Sequence, residues 1–178
     1  MSDVAPGPFL FFGTMMDSDV MALVLGTPIA PENLEAAVLR GFRRVKVRGE
    51  TYPMLLPDGA ASVSGILARG LSRLESDRLS FFESHEYLPT PVTVENASGA
   101  MTDAHLFMTH ADVAHEGQEW TLEQWRRDDK DACLEETRIW MALYGRMTVL
   151  EADAAWDAAV AAGRPPSSLI EELEPTGG

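Results

Sequence analysis

FLFFGTMMDSDV, residues Phe9 to Val20, is the stretch on which the fold turns. Four apolar residues run into Gly13-Thr14, two methionines follow, and Asp17 stands where a helix would need its N-cap. The run before the glycine, Pro8 to Phe12, reads as a short buried strand. After Asp17, Val20, Met21, Leu23, Val24 and Leu25 fall at helical spacing, closed by Gly26 with Pro28 just beyond. Gly13 to Met16 is therefore a strand-to-helix loop. A glycine lets other atoms approach the backbone closely. The free N–H groups at a helix start attract carboxylate or carbonyl oxygen. Many strand–loop–helix units bind nothing, so the loop is either a simple turn or the floor of a site.

Working outward, Leu34 to Arg48 is rich in β-branched and aromatic residues and reads as one bent strand interrupted at Gly41. Tyr52-Pro53 opens a short extended piece, and PDGA, Pro57 to Ala60, reads as a turn. SVSGILA, Ser62 to Ala68, is a strand. Ser72 then caps an amphipathic helix, with Glu75 three residues on as its capping-box partner and Leu74, Leu79 and Phe82 roughly on one face. Glu86 to Glu95 is extended, its prolines pointing to an edge or bulge. Ala100 to Thr109 is a further strand. Beyond it the texture turns helical, over Trp120 to Tyr144 and Val149 to Gly163. Residues 164–178, with three prolines, read as a flexible tail. The pattern predicts an α+β fold with a β-rich body over residues 8–110, a helical extension over 111–163 packed on it, and no internal repeats.

Composition narrows the function. The chain has 178 residues, 46% hydrophobic, enough for one domain with a sizeable core. Fourteen Lys+Arg stand against 28 Asp+Glu, a net charge of −14. No basic footprint is available for nucleic acid or for an anionic membrane surface. No segment reaches the roughly 20 apolar residues of a membrane helix. The start lacks a basic leader, and a cytoplasmic protein is expected. The single cysteine, Cys133, sits among acids that raise its pKa and reads as structural.

Metal and nucleophile motifs are missing. His85, His105, His110 and His115 line no common helix or strand face, and there is no HExxH, cysteine pair, P-loop, GxGxxG or GxSxG. What remains is a carboxylate. Glu83, at the end of the second helix, continues the apolar face through Leu79. A carboxylate on such a face is desolvated, its pKa rises, and it becomes fit for general-base work near neutral pH. Most glutamates in this position lie at the solvent edge instead. Glu86, three residues on, is the rival.

Three segments, in order, resemble the γ-glutamylcyclotransferase-like, or AIG2-like, family. FFGTMMDSDVMALVLG is similar to its Tyr-Gly-Thr-Leu strand end and short helix. LRGFRRVKVRGETYPMLLPDGAASVSGILARGLS resembles its Pro-Gly-Tyr strand, Tyr-Pro loop and the strand before the second helix. RLSFFESHEYLPTPVTV resembles its Leu-Asp-x-Phe-Glu-Gly-x-x-Tyr segment and the strand after it. Together they cover residues 8–108. The resemblance implies a small, mostly closed mixed β-barrel with flanking helices. It implies an enzyme that releases 5-oxoproline from a γ-glutamyl compound without any cofactor or metal, an acyl transfer within one molecule. Glu83 would be the general acid/base. Phe12, Gly13, Thr14 and Met15 would bind the γ-glutamyl group through backbone amides. Phe12 departs from the family's tyrosine, Met15 from its leucine, Ser84 from its glycine, and Pro89 stands where a basic residue is common. The helical extension matches none of these motifs. It is read as a wall of the leaving-group pocket or as a homodimer interface, with core packing the plainer role for Trp120, Trp125 and Trp140. Two other readings stand beside this one: a binding module of the same fold without turnover, and another amide or amine reaction in the same pocket.

Overall fold

A computed structural model describes residues 7–109 and 113–174. Six strands are laid down in chain order: β1 (Phe9–Phe11), β2 (Leu34–Val47), β3 (Pro53–Ala68), β4 (Tyr87–Asn96), β5 (Met101–Thr109) and β6 (His115–Glu119). They hydrogen-bond in the order β3-β1-β5-β4-β2-β6, and β2 also pairs with β3. That last pairing closes five strands into a barrel and leaves β6 as an added strand on β2. The barrel is mixed, because β1 runs parallel to β5 and antiparallel to β3. The expected closed α+β barrel with flanking helices is what the chain forms.

β1 is only three residues long and buried on both faces. Strand alternation explains its use. Leu10 points to an interior built from strands alone, with Leu39, Val63, Leu67, Val94 and Leu106. Phe9 and Phe11 point the other way, into a second core shared with the helices α1 (Ser18–Leu25) and α2 (Arg73–Glu83). Asp17 caps α1 as the sequence predicts, accepting from the N–H groups of Asp19 and Val20. Ser72 and Glu75 form the predicted capping box on α2. Arg78 then ties the two helices, donating to the Val24 carbonyl at the end of α1 at 2.8 Å.

The two long strands β2 and β3 pair along most of their length, and the predicted break at Gly41 is real. Gly41 has φ +87°, a conformation that favours glycine. It lies at a register shift, since Arg40 pairs with Ser62 and Phe42 with Pro57. The expected turn at Pro57 to Ala60 is corrected by the same register. That segment lies at a bulge inside the continuous strand β3: Pro57 still pairs with Phe42, and Asp58 to Ala61 bow out opposite the single Gly41.

The C-terminal part differs from expectation in three ways. The expected boundary at residue 110 cuts short of β6, which pairs Glu119 with Val45 and His115 with Val47. Its sequence HEGQE is polar because it is an exposed edge strand, so it lacks the apolar signal of a core strand. The single helix expected over Trp120 to Tyr144 is two, α3 (Leu122–Asp128) and α4 (Lys130–Ala142), separated at Asp129. Finally, the expected tail is structured to Leu173. After α5 (Val149–Ala161) comes α6 (Ser168–Leu173), whose Leu169 is buried beside Leu143, Ala152 and Ala159. Its apolar residues outweigh the prolines that precede them. His110 and the last four residues lie outside the described part. Among the described residues no helix is long and apolar enough to cross a membrane.

Candidate active site

The end of β1, the end of α2 and the C-terminal helices meet around one cavity of about 430 Å³. Its walls have different origins.

The first wall is the loop after β1. Thr14–Met16 form one short 3-10 turn, with Met16 N–H bonded to Gly13 O at 2.9 Å. Among the described residues, the N–H groups of Thr14 and Met15 have no acceptor. A Cβ on Gly13 would lie 3.0 Å from Pro53, so glycine lets the loop sit against the start of β3. Three cations hold the loop from outside. Arg44 donates to the Phe12 carbonyl at 2.7 Å, and to the carbonyls of Ser64 and Trp120 at 3.2 Å, with its guanidinium over the Trp120 ring. Burial pulls its pKa down, and Glu119 partly restores it. At the other end of the loop, Asp17 is 1% exposed and accepts from Arg126 at 2.8 Å and Lys130 at 3.1 Å. Burial alone would raise the Asp17 pKa, but these donors and the Asp19 N–H hold it below the usual carboxylate range.

The second wall is the last turn of α2. The predicted Glu83 is half-buried and opens on the cavity. Its carboxyl has no hydrogen bond or ion pair among the described residues, and burial pushes its pKa up to about 8. The sequence expectation of a desolvated carboxylate on an apolar face is met, with Leu79 fully buried one turn before it. The next residue, Ser84, has φ +65°, a conformation that glycine adopts more easily. That explains why the family pattern has glycine there. Here the strained residue is held by the C-terminal helices. Ser84 Oγ donates to Asp153 of α5 at 3.0 Å, and His85 Nδ1 meets the same carboxylate at 2.5 Å. This is a serine, a histidine and an aspartate, but not a nucleophilic relay. Ser84 and Asp153 both meet the histidine at Nδ1, and the serine hydroxyl is spent on the aspartate itself.

The third wall was invisible to motif reading. Glu136 and Trp140 come from α4, Trp156 and Asp157 from α5, and all four line the cavity. Trp140 donates to the Phe81 carbonyl at 3.0 Å and packs edge-on against Trp156. Of the three tryptophans expected to pack in the core, Trp120 and Trp125 do so, and Trp140 reaches the cavity instead. Opposite it, Tyr52 and Tyr87 meet at an edge-to-face angle. Burial pushes Tyr52 up to about 12 and raises Tyr87 further. Cys133 also touches the cavity. Its pKa is raised, first by burial and then by the carboxylates around it, as its neighbours in the sequence predict.

The structure thus brings Phe12, Gly13, Thr14, Met15 and Glu83 to one cavity. Phe12 contributes no hydroxyl and its carbonyl is taken by Arg44, so its side of the site is backbone and apolar surface. Glu86 lines the same cavity but is exposed. Among the described residues no three His, Cys, Asp or Glu side chains converge to hold a metal.

Comparison with known proteins places the chain in a family. Residues 9–127 match the model of the gamma-glutamyl cyclotransferase, AIG2-like family, and the chain belongs to that family. Among curated proteins it is similar to AIG2-like protein C of Arabidopsis thaliana, 29% identical over 134 residues, covering 74% of this chain and 76% of that one. AIG2-like protein A of the same plant is 28% identical over 127 residues, covering 70% and 74%. A solution structure of an Arabidopsis thaliana protein, 26% identical, superposes with a TM-score of 0.55 over 76% of this chain and 91% of that one.

Proposed function

We propose that this protein is a cyclotransferase acting on γ-glutamyl amines or amides, with Glu83 as its general acid/base. The observation that carries the reading is the placement of an unpaired, desolvated carboxyl across one cavity from the free N–H groups of Thr14 and Met15. The substrate's α-amine attacks its own γ-carbonyl and closes the five-membered lactam of 5-oxoproline. Glu83 takes a proton from the attacking amine and returns it to the departing nitrogen, so the carboxylate is regenerated in each turnover. The loop N–H groups face the charge that develops on the carbonyl oxygen or hold the substrate's own carboxylate. Nucleophile and electrophile are tethered in one molecule, so positioning supplies much of the acceleration. A pKa of about 8 suits this double duty, because the group both accepts and donates near neutral pH.

The test is release of 5-oxoproline from a panel of γ-glutamyl compounds, with Glu83→Gln run in parallel. Product from the native protein that vanishes in the variant supports the reaction and the base together. Product that survives the substitution moves the role to Glu86. An intact fold that turns over no member of the panel leaves a binding module as the better reading.

A further inference from the structure

Glycines aside, Ser84 is the one described residue with a positive φ. Its φ of +65° and ψ of 179° fall in a region almost reserved for glycine, because a Cβ there crowds the backbone. Such an outlier persists only where its surroundings fix it, and outliers of this kind gather at functional sites. Ser84 directly follows Glu83 and ends α2, its N–H bonded to the Phe81 carbonyl at 3.2 Å. The way the Glu83 turn faces is therefore set at a residue that would relax to another conformation if left alone.

What fixes it comes from outside the barrel. Ser84 Oγ donates to Asp153 at 3.0 Å, and His85 meets the same carboxylate. Asp153 is itself seated by its helix. Its neighbour Ala152 and, two turns on, Ala159 are fully buried in one cluster with Phe81, Leu143 and Leu169. Trp140 of α4 holds the same turn of α2 through the Phe81 carbonyl at 3.0 Å, and the Phe81 ring packs on those of Trp140 and Tyr144. The helices α4, α5 and α6 all lie beyond the family match, which ends at residue 127. The glycine that the family pattern carries after its glutamate needs no such support.

Resting on the reading of Glu83 as the general acid/base, we propose that Asp153 is a positioning residue for it. The Asp153 carboxylate holds Ser84 in the glycine-like conformation. That conformation keeps the last turn of α2 closed and Glu83 turned to the cavity. This chain thus obtains from its C-terminal helices what a glycine would give by itself. Asp153 takes no part in the proton transfers, and its effect passes through the Ser84 backbone.

Two substitutions at one position isolate the device. Ser84→Gly and Ser84→Ala both lose the bond to Asp153, and only Ser84→Ala keeps a Cβ at the positive φ. On a γ-glutamyl amide that the native protein turns over, Ser84→Ala is expected to lie roughly tenfold to 100-fold below Ser84→Gly in kcat, with KM changed less than about twofold. Asp153→Ala should match Ser84→Ala when made in the native protein. Made on top of Ser84→Gly, it should change kcat by less than about twofold. A role in stability alone predicts the same loss from Asp153→Ala in both backgrounds. That outcome, or equal kcat for Ser84→Ala and Ser84→Gly, overturns the inference while the cyclotransferase stands. Circular dichroism checks the fold of each variant, and the pair at position 84 decides by itself should Asp153→Ala fail to fold. Amide hydrogen exchange over residues 81–86, read as protection factors, needs no turnover. If the native protein yields no 5-oxoproline from any amide, the reaction reading fails and exchange decides the positioning. Protection lower in Ser84→Ala than in Ser84→Gly supports it, and equal protection overturns it.

Discussion

The loop after β1 and the faces of α4 and α5 look into the same cavity with different chemistry. The loop offers backbone N–H groups and apolar side chains, and none of its own charges points inward. The helices offer carboxylates and indoles. Backbone N–H groups recognise an oxygen whatever the side chains are, and they are fixed once the strand and the helix cap are fixed. Side chains on a helix face can be exchanged without disturbing the barrel. On the cyclotransferase reading proposed above, the glutamyl half of a substrate would meet the constant wall and the departing half the adjustable one. Glu83 stands between them, where the bond to be exchanged would lie.

Four measurements would break or sharpen that division. The largest effect is expected from Glu83→Gln, which should lower kcat by about 100-fold to 10,000-fold with little change in KM, as loss of a general acid/base does. Steady-state kinetics would show it, and a loss under tenfold would take the central role from Glu83. Next is Asp17→Ala, which removes the α1 cap and takes the carboxylate from Arg126, while Lys130 keeps Asp19. Urea unfolding should give a loss of about 2–4 kcal/mol. A loss under 0.5 kcal/mol, on the order of a surface substitution, would mean that the C-terminal helices do not anchor the loop.

The third concerns pH. The Glu83 carboxyl titrates near 8 in the folded protein and in the ordinary carboxylate range when unfolded. Between those values the native state binds more protons than the unfolded state, so stability falls as pH rises from about 4.5 to about 8 and is flat beyond. Glu83→Gln should remove that slope and, above pH 8, be the more stable protein by about 1–3 kcal/mol. Parallel profiles for the two proteins would contradict the burial. On the proposed reading, turnover by the native protein should rise through the same window as the base ionises. The smallest effect is expected from Ser84→Gly. It relieves the positive φ but gives up the hydroxyl bond to Asp153, and the net change should stay within about 1 kcal/mol. A larger loss would show that the α5 contact governs how Glu83 is presented.

The strands, the capped helices and the carboxylate of the second wall were legible because they rest on local signals, whereas closure into a barrel was implied only by the family resemblance. Asp17 and Ser72 announce their helices by capping chemistry, Gly41 marks the bend in β2, and Leu79 followed by Glu83 announces a carboxylate on an apolar face. Pro57 to Ala60 misled because turn residues serve a bulge as well as a turn. The polar β6 misled because an edge strand needs no apolar alternation. The third wall was foreseen only as one of two roles for the helical extension, and its lining residues could not be picked out. Glu136, Trp140, Trp156 and Asp157 lie on ordinary amphipathic helices, and only the packing of α4 and α5 onto the end of α2 turns them toward Glu83. The pairing of Ser84 with Asp153 is likewise a contact across 69 residues that no local pattern encodes.

The parallel seam between β1 and β5 has a consequence for the timing of synthesis. His105, the parallel strand neighbour of Phe9, is made 96 residues after it. At translation rates of about 5–20 residues per second, β1 waits roughly 5–20 seconds for its second neighbour. During that wait one edge of a strand made of FLF is open to any other extended chain. The acidic partners that complete the cavity come later still. A nascent chain therefore has a long interval in which its most apolar strand is exposed, and slowing or truncating synthesis before residue 105 should promote aggregation more than truncation within α6.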